Sequence, residues 1–234
     1  MPFSNLNLDE LARHTGINAR ELRRMAERGK LPGQLIGGEW RFNRARLHDW
    51  LQQEMHGLEE PQIRSLERAT AIVPDAELVG SLLRADGIEL HLPARSRASV
   101  IRELVTVAQR TGLVYDRDGL IAAIEEREEL GPTALPRGLA IPHPRRPLPW
   151  ATAEPLICVG RVESGVPFCA PDRRLTDLFF LVISHDERDH LHVLARLSLL
   201  LSSELPDELR EAPDAPAALE LILGHERKLL ARRR

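Results

Sequence analysis

Three short apolar runs set the terms for the second half of this chain: Leu139-Ala140-Ile141, Leu156-Ile157-Cys158-Val159 and Leu178-Phe179-Phe180-Leu181-Val182-Ile183. Each is too short for a stable helix and is bounded by turn-forming residues, so each reads as a buried strand. Helical patterns lie between them. Ser96 to Thr111 repeats Val100, Ile101, Leu104, Val105 and Ala108 on one face and is closed by Gly112. Asp116 to about Glu129 turns Leu120, Ile121 and Ile124 inward, and Asp189 to Leu201 aligns Leu191, Leu194, Leu197 and Leu201. Strands interleaved with helices predict an α/β domain, a sheet covered by helices. The interleaving is irregular, which predicts an α+β-like mixed sheet rather than a strictly parallel one. Further pieces read as a short helix over Ala76–Arg84, a turn at Asp86-Gly87, a strand over Ile88–Leu92, and a last helix over Ala215–Leu223 ahead of a basic tail.

The first of the three runs ends at a histidine. Pro142 cannot donate to a sheet ladder, so the strand stops there and His143 stands at a strand end. Upstream lie the charged patch Arg127-Glu128-Glu129 and a Gly/Pro turn.

With 43% apolar and 29% charged residues, the composition is that of a soluble globular protein. A net charge of -3 gives no global pull toward nucleic acid or anionic membrane. The charge is uneven, however: residues 1–56 hold nine Lys/Arg against seven Asp/Glu, and the rest holds 23 against 28. Cys158 and Cys169 have no metal spacing, lie in or beside apolar segments, and read as buried thiols of a reducing compartment. No leader-like start and no membrane-length apolar stretch is present, so a cytoplasmic location without membrane insertion is expected.

Residues 1–56 read as a small separate domain. Leu8 to Ile17 forms a short amphipathic helix closed by Gly16, and Asn18 caps a second helix over Ala19–Arg28. Ile36-Gly37-Gly38-Glu39-Trp40-Arg41-Phe42 has the form of a hairpin. Asn43 caps a last helix, Arg44 to about Met55, with Leu47, Trp50 and Leu51 inward. Two short helices around a glycine turn, the second basic, are the sequence form of a helix-turn-helix.

Leu8-Asp9-Glu10-Leu11-Ala12, Thr15-Gly16-Ile17, Arg28-Gly29-Lys30-Leu31-Pro32, the hairpin and Leu47-His48-Asp49-Trp50-Leu51 together resemble the excisionase-type, MerR-like winged helix-turn-helix family. The resemblance implies that the second helix enters the major groove of double-stranded DNA with the hairpin as a wing. Arg20, Arg23, Arg24 and Lys30 are then the candidate DNA contacts, and Arg41 a wing contact to phosphate. Glu39 at the wing tip departs from the basic residue common there. Residues 57–74 read as a linker, broken at Gly57 to Pro61 and helical in Gln62–Ala71.

Residues 75–234 resemble the fructose/mannitol/nitrogen-type IIA component (EIIA type 2) of the phosphoenolpyruvate-dependent phosphotransferase system (PTS). The resemblance rests on Arg127-Glu128 through Gly138-Leu139-Ala140-Ile141-Pro142-His143 and on Asp189-His190-Leu191-His192-Val193-Leu194. It implies a phosphorylated His143, a supporting His190 and an active-site Arg127, a phosphotransferase component acting as a histidine phosphoryl carrier. The phosphocarrier protein HPr, or its nitrogen-branch counterpart, is the implied phosphodonor. The chemistry of these residue types agrees: a neutral imidazole is the nucleophile, an arginine fork holds oxygens, and His190 near a helix N-terminus meets the positive end of a dipole. A relay between histidines needs no cofactor, and His185, His190 and His192 lack the carboxylate or cysteine that would complete a metal site. Histidines 14, 48, 56, 91 and 225 read as structural or solvated. Two departures stand out: the turn is Ala134-Leu135-Pro136-Arg137, and Pro144 follows the histidine where a glycine is usual.

Three functions follow. The first is a PTS IIA-type regulator whose phosphorylation on His143 is coupled to DNA binding. The second is a transcription regulator whose IIA-like domain is a degenerate sensor or oligomerisation module. The third is a transport phosphodonor whose head binds protein. Helix-turn-helix modules commonly act on paired half-sites, so a homodimer is expected.

Overall fold

The computed structural model describes residues 5–71, 73 and 76–232. The first four residues, Ile72, the junction at 74–75, the last two arginines of the basic tail and the His56 side chain lie outside the described residues.

The N-terminal part contains β1 (Asn5–Leu6), α1 (Leu8–Thr15), α2 (Ala19–Glu27), β2 (Gln34–Ile36), β3 (Glu39–Asn43) and α3 (Arg44–Glu54). An asparagine caps each helix. Asn7 accepts from the Glu10 N–H and Glu10 returns a bond to Asn7, a capping box, while Asn18 and Asn43 accept from Arg20 and Arg46. Gly16 ends α1 at φ 69, and a Cβ there would lie 2.5 Å from the Ser65 carbonyl oxygen. Both conformation and space therefore demand glycine. The strands pair antiparallel in the order β1-β3-β2, with Ile36 opposite Glu39 at the hairpin tip. Asn43 is both the last residue of β3 and the cap of α3, so the wing runs into that helix without a loop.

After a short 3-10 turn at Met55–Gly57 comes α4 (Glu60–Thr70), in the stretch the sequence reads as linker. It is no loose tether. Ile63, Leu66, Glu67 and Thr70 are buried, α1 packs on one side of it, and the next domain packs on the other.

The second domain contains α5 (Leu78–Leu82), β4 (Leu83–Glu89), α6 (Arg97–Arg110), α7 (Arg117–Glu129), β5 (Ala134–Leu135), β6 (Leu139–Ala140), β7 (Leu156–Val166), β8 (Thr176–Ile183), α8 (Glu187–Leu201), α9 (Leu205–Arg210) and α10 (Ala215–Ala231). The sheet order is β4-β7-β8-β6-β5, parallel at β4/β7 and β6/β8 and antiparallel elsewhere, the mixed sheet that irregular interleaving predicts. Alternate residues go to opposite faces. Cys158, Phe179, Leu181 and Ile183 meet α6 and α7, whereas Ile157, Val159, Phe180 and Val182 belong to the α8 side. The core on that side continues through Leu66 into Leu11, Leu22, Phe42 and Leu51 of the small domain.

One ionic network ties α4 to this core. Arg196 of α8, fully buried, donates through Nε and Nη2 to Glu67 of α4 and through Nη1 to Glu226 of α10. Glu226 also accepts from the N–H groups of Leu78, Val79 and Gly80 at the start of α5. His192 Nε2 lies 3.1 Å from Glu67, away from the other histidines of interest.

Some expectations differ from the fold. The turn at Asp86-Gly87 lies inside β4, at the place where the ladder to β7 shifts register between Leu83 and Ile88. Cys158 is buried, its thiol pushed up to about 12 by burial, but Cys169 is exposed on a loop at φ 59. The basic tail continues α10 as helix to Ala231, and α9 has no counterpart in the sequence reading.

Candidate functional site

The short β6 delivers His143. Ile141 N–H donates to the Thr133 carbonyl and Val182 N–H to the Pro142 carbonyl, which pins the backbone on both sides just before the histidine. His143 Nδ1 lies 2.7 Å from the carbonyl oxygen of Ile141. A carbonyl only accepts, so Nδ1 carries the proton and Nε2 carries the lone pair. The contact therefore fixes the tautomer of the His143 ring.

His190 sits in the first turn of α8, its ring centroid 5.0 Å from that of His143. Its Nδ1 contacts Ser184 Oγ at 3.2 Å, while its Nε2 is buried and makes no hydrogen bond among the described residues. Burial chiefly, with the charges of His48 and Arg127, brings its pKa down to about 3 against the opposing pull of Asp186. At neutral pH the ring is uncharged and still offers one N–H. The helix start itself contributes less to an anion than the sequence suggests. Asp186 caps α8 and takes the N–H groups of Arg188 and Asp189.

Arg127, in the last turn of α7, is buried and donates through Nη1 to the Gly131 carbonyl. Burial lowers its pKa, with Glu128 and Asp49 acting in the other direction. Glu128 accepts from the Thr133 N–H and hydroxyl, and burial raises its own pKa. The two adjacent charges thus clamp the Gly/Pro turn that leads into β5 and β6. Gly138 in that turn has φ +77, and a Cβ would lie 2.6 Å from Asp177 Oδ1. Arg137, which the sequence reading counts as an added charge, instead reaches α9 and pairs with Asp207 at 2.8 Å.

The structure adds residues that sequence reading passes over. Arg145 and Arg146 follow His143, and both meet α3 of the N-terminal domain. Arg145 grips Asp49 with two bonds, Nε at 3.2 Å and Nη2 at 2.7 Å, and Arg146 lies 3.6 Å from Asp49 and 3.1 Å from Glu187. Partial burial opposes the Asp49 carboxylate, but the Arg145 hydrogen bonds and the Arg146 charge prevail and hold its pKa below the ordinary carboxylate range. Gln52 Nε2 donates to the Arg145 carbonyl and to His48 Nε2. His48, read as structural, stands 6.3 Å ring to ring from His190. Only residues far apart in the chain make this cluster, so no local pattern announces it. His143 and His190 are each only 2% exposed.

The candidate DNA-contacting residues lie elsewhere. Arg20, Arg23, Arg24 and Lys30 are exposed on and just after α2. Arg41 on the wing is partly covered and bonds Glu39 at 2.7 Å, so the Glu39 departure neutralises the wing cation beside it. Among the described residues no three His, Cys, Asp or Glu side chains gather as a metal-binding group, and no helix is long and apolar enough to cross a membrane.

The family model for the phosphoenolpyruvate-dependent sugar phosphotransferase system, EIIA 2, matches residues 81–224. The chain belongs to this EIIA type 2 family. A helix-turn-helix domain model matches residues 6–55, so a helix-turn-helix is fused to the EIIA domain. Among curated relatives, the fructose-specific EIIABC component of Bacillus subtilis is 31% identical over 152 residues, covering 64% of this chain but only 24% of the relative. The fructose-specific EIIA component of Haloferax volcanii is 28% identical, covering 63% of this chain and 96% of the relative. The nitrogen regulatory protein of Pseudomonas aeruginosa is 26% identical, covering 57% and 87%. The EIIA fold also matches the crystal structure of IIA-Ntr from Neisseria meningitidis at a TM-score of 0.57 and 23% identity, over 62% of this chain and 99% of that one.

Proposed function

We propose that this EIIA protein accepts a phosphoryl group on His143 from the phosphocarrier HPr, or its nitrogen-branch counterpart, and couples that state to DNA binding by its helix-turn-helix domain. The carrying observation is the His143–His190 pair: one ring with its tautomer set by Ile141, the other buried beside it with an Nε2 that has no hydrogen-bond partner among the described residues. In the transfer, the P–N bond of the donor phosphohistidine breaks as the lone pair of His143 Nε2 forms a new P–N bond. The electron pair of the broken bond returns to the donor imidazole. His190 Nε2–H and the neighbouring guanidinium groups supply donors to the phosphoryl oxygens.

The test is labelling with radioactive phosphoenolpyruvate, enzyme I and HPr. Wild type takes up one acid-labile phosphoryl group, His143→Ala takes up none, and His190→Gln is labelled at least about a hundredfold more slowly. Label that persists in His143→Ala rejects the assignment. Selection of duplexes from a random pool tests the DNA half, with Arg20, Arg23 and Arg24 replaced by Ala as the control.

The closed face over His143 favours one second reading, a sensor that binds without turnover. Absence of labelling in every variant, opened or not, selects it.

A further inference from the structure

We infer that α3 is a built-in competitor for the phosphodonor: Asp49, His48 and Gln52 occupy the His143 face of the EIIA domain, and a phosphoryl group there and a docked α3 exclude each other. This rests on the phosphoryl-acceptor reading above and extends it to how the two domains communicate.

Geometry makes the exclusion. An attacking Nε2 and an incoming phosphorus must come within about 3–3.5 Å and in line. His143 is 2% exposed, and α3 holds the neighbouring Arg145 through Asp49 and Gln52 and stands beside His190 through His48, so the element in the path of a donor protein is α3. Charge makes it reciprocal. Arg145 and Arg146 hold the Asp49 carboxylate, with both Arg145 bonds on one acid. A phosphoryl group brings roughly two negative charges and a better bidentate match for guanidinium. It takes these arginines from Asp49 and repels the carboxylate it displaces.

The same interface leaves α2 uncovered. Arg20, Arg23 and Arg24 are exposed while α3 is docked, so the closed form still presents its basic helix. Whatever ligand favours the docked arrangement therefore disfavours phosphorylation by the same factor, as linkage requires.

Two independent readouts on the full chain test this. Diethyl pyrocarbonate reports access to His143 with no phosphodonor present, and HPr-dependent labelling reports transfer. In Asp49→Lys, which sets like charge against Arg145 and Arg146, His143 is modified and labelled at least about tenfold faster than in wild type. Asp49→Asn, a milder change that preserves packing, gives about threefold, in keeping with loss of the partly exposed ion pairs that Asp49 makes with Arg145 and Arg146. Hydrogen exchange of 44–54 speeds up on phosphorylation while that of 60–70 holds. Equal diethyl pyrocarbonate rates in wild type and both variants overturn the inference, whatever the labelling shows. Faster modification without labelling in any protein leaves the closure standing and rejects the phosphoryl-acceptor reading instead.

Discussion

The helix-turn-helix side of the molecule meets the EIIA domain twice, and the two contacts are built differently. Along α4 and α8 the junction is dry: Leu66, Glu67 and Arg196 are fully buried, and Arg196 joins carboxylates from two different helices. At α3 the junction is a polar cluster around a doubly bonded Arg145–Asp49 pair, whose arginine side chain is 41% exposed. Buried ion networks are costly to break because each lost partner strands a desolvated charge. Partly exposed pairs are worth about 1 kcal/mol or less. A chain needing a permanent joint and a releasable one would assign them this way.

Four measurements break or sharpen that contrast. Arg196→Met strands Glu67 and Glu226 without their cation, and thermal or urea unfolding should show a loss of about 3–5 kcal/mol. A loss below 1 kcal/mol removes the distinction between the two contacts. Leu66→Ala opens a cavity in the same dry junction and should lose about 2–4 kcal/mol by the same assay.

The third measurement uses acid against the α3 side. An unfolded His190 takes a proton near 6.5, whereas the folded ring resists protonation to about 3. The folded state therefore has this contribution in full above pH 6.5 and loses it as pH falls toward 3, by up to roughly 5 kcal/mol. Stability against pH should flatten across that window in His190→Gln; an unchanged slope contradicts the assignment. The smallest effect is expected at Asp49→Asn, below about 1 kcal/mol in global stability despite its larger effect on access to His143. A global loss as large as that of Arg196→Met would mean that both contacts are permanent.

Much of the fold is legible because its signals are local. Asn18, Asn43, Ser96 and Asp116 cap the helices that the sequence places after them, and Gly16 closes α1. The apolar runs at 139–141, 156–159 and 178–183 all fall on or beside strands of one mixed sheet. What escapes is decided by partners distant in sequence. Asp86-Gly87 carries a turn signal yet lies inside β4, at the register shift in its ladder with β7, and β7 itself extends to Val166 because β8 pairs along it. The site divides in the same way. His143, His190 and Arg127 can be named from short motifs, whereas His48, Asp49 and Gln52 join them across about 93 to 142 residues of chain, the span from Gln52 to Arg145 and from His48 to His190.

The absence of any loop between β3 and α3 has a mechanical consequence. Asn43 ends one and caps the other, so hairpin and helix turn as a single crank. With β3 five residues long, its arm is about 17 Å, and ten degrees of rotation at the helix swings the hairpin tip by roughly 3 Å. That stroke is comparable to the length of a hydrogen bond. Any rotation of α3 is therefore passed directly to the hairpin, with no loop between them to absorb it.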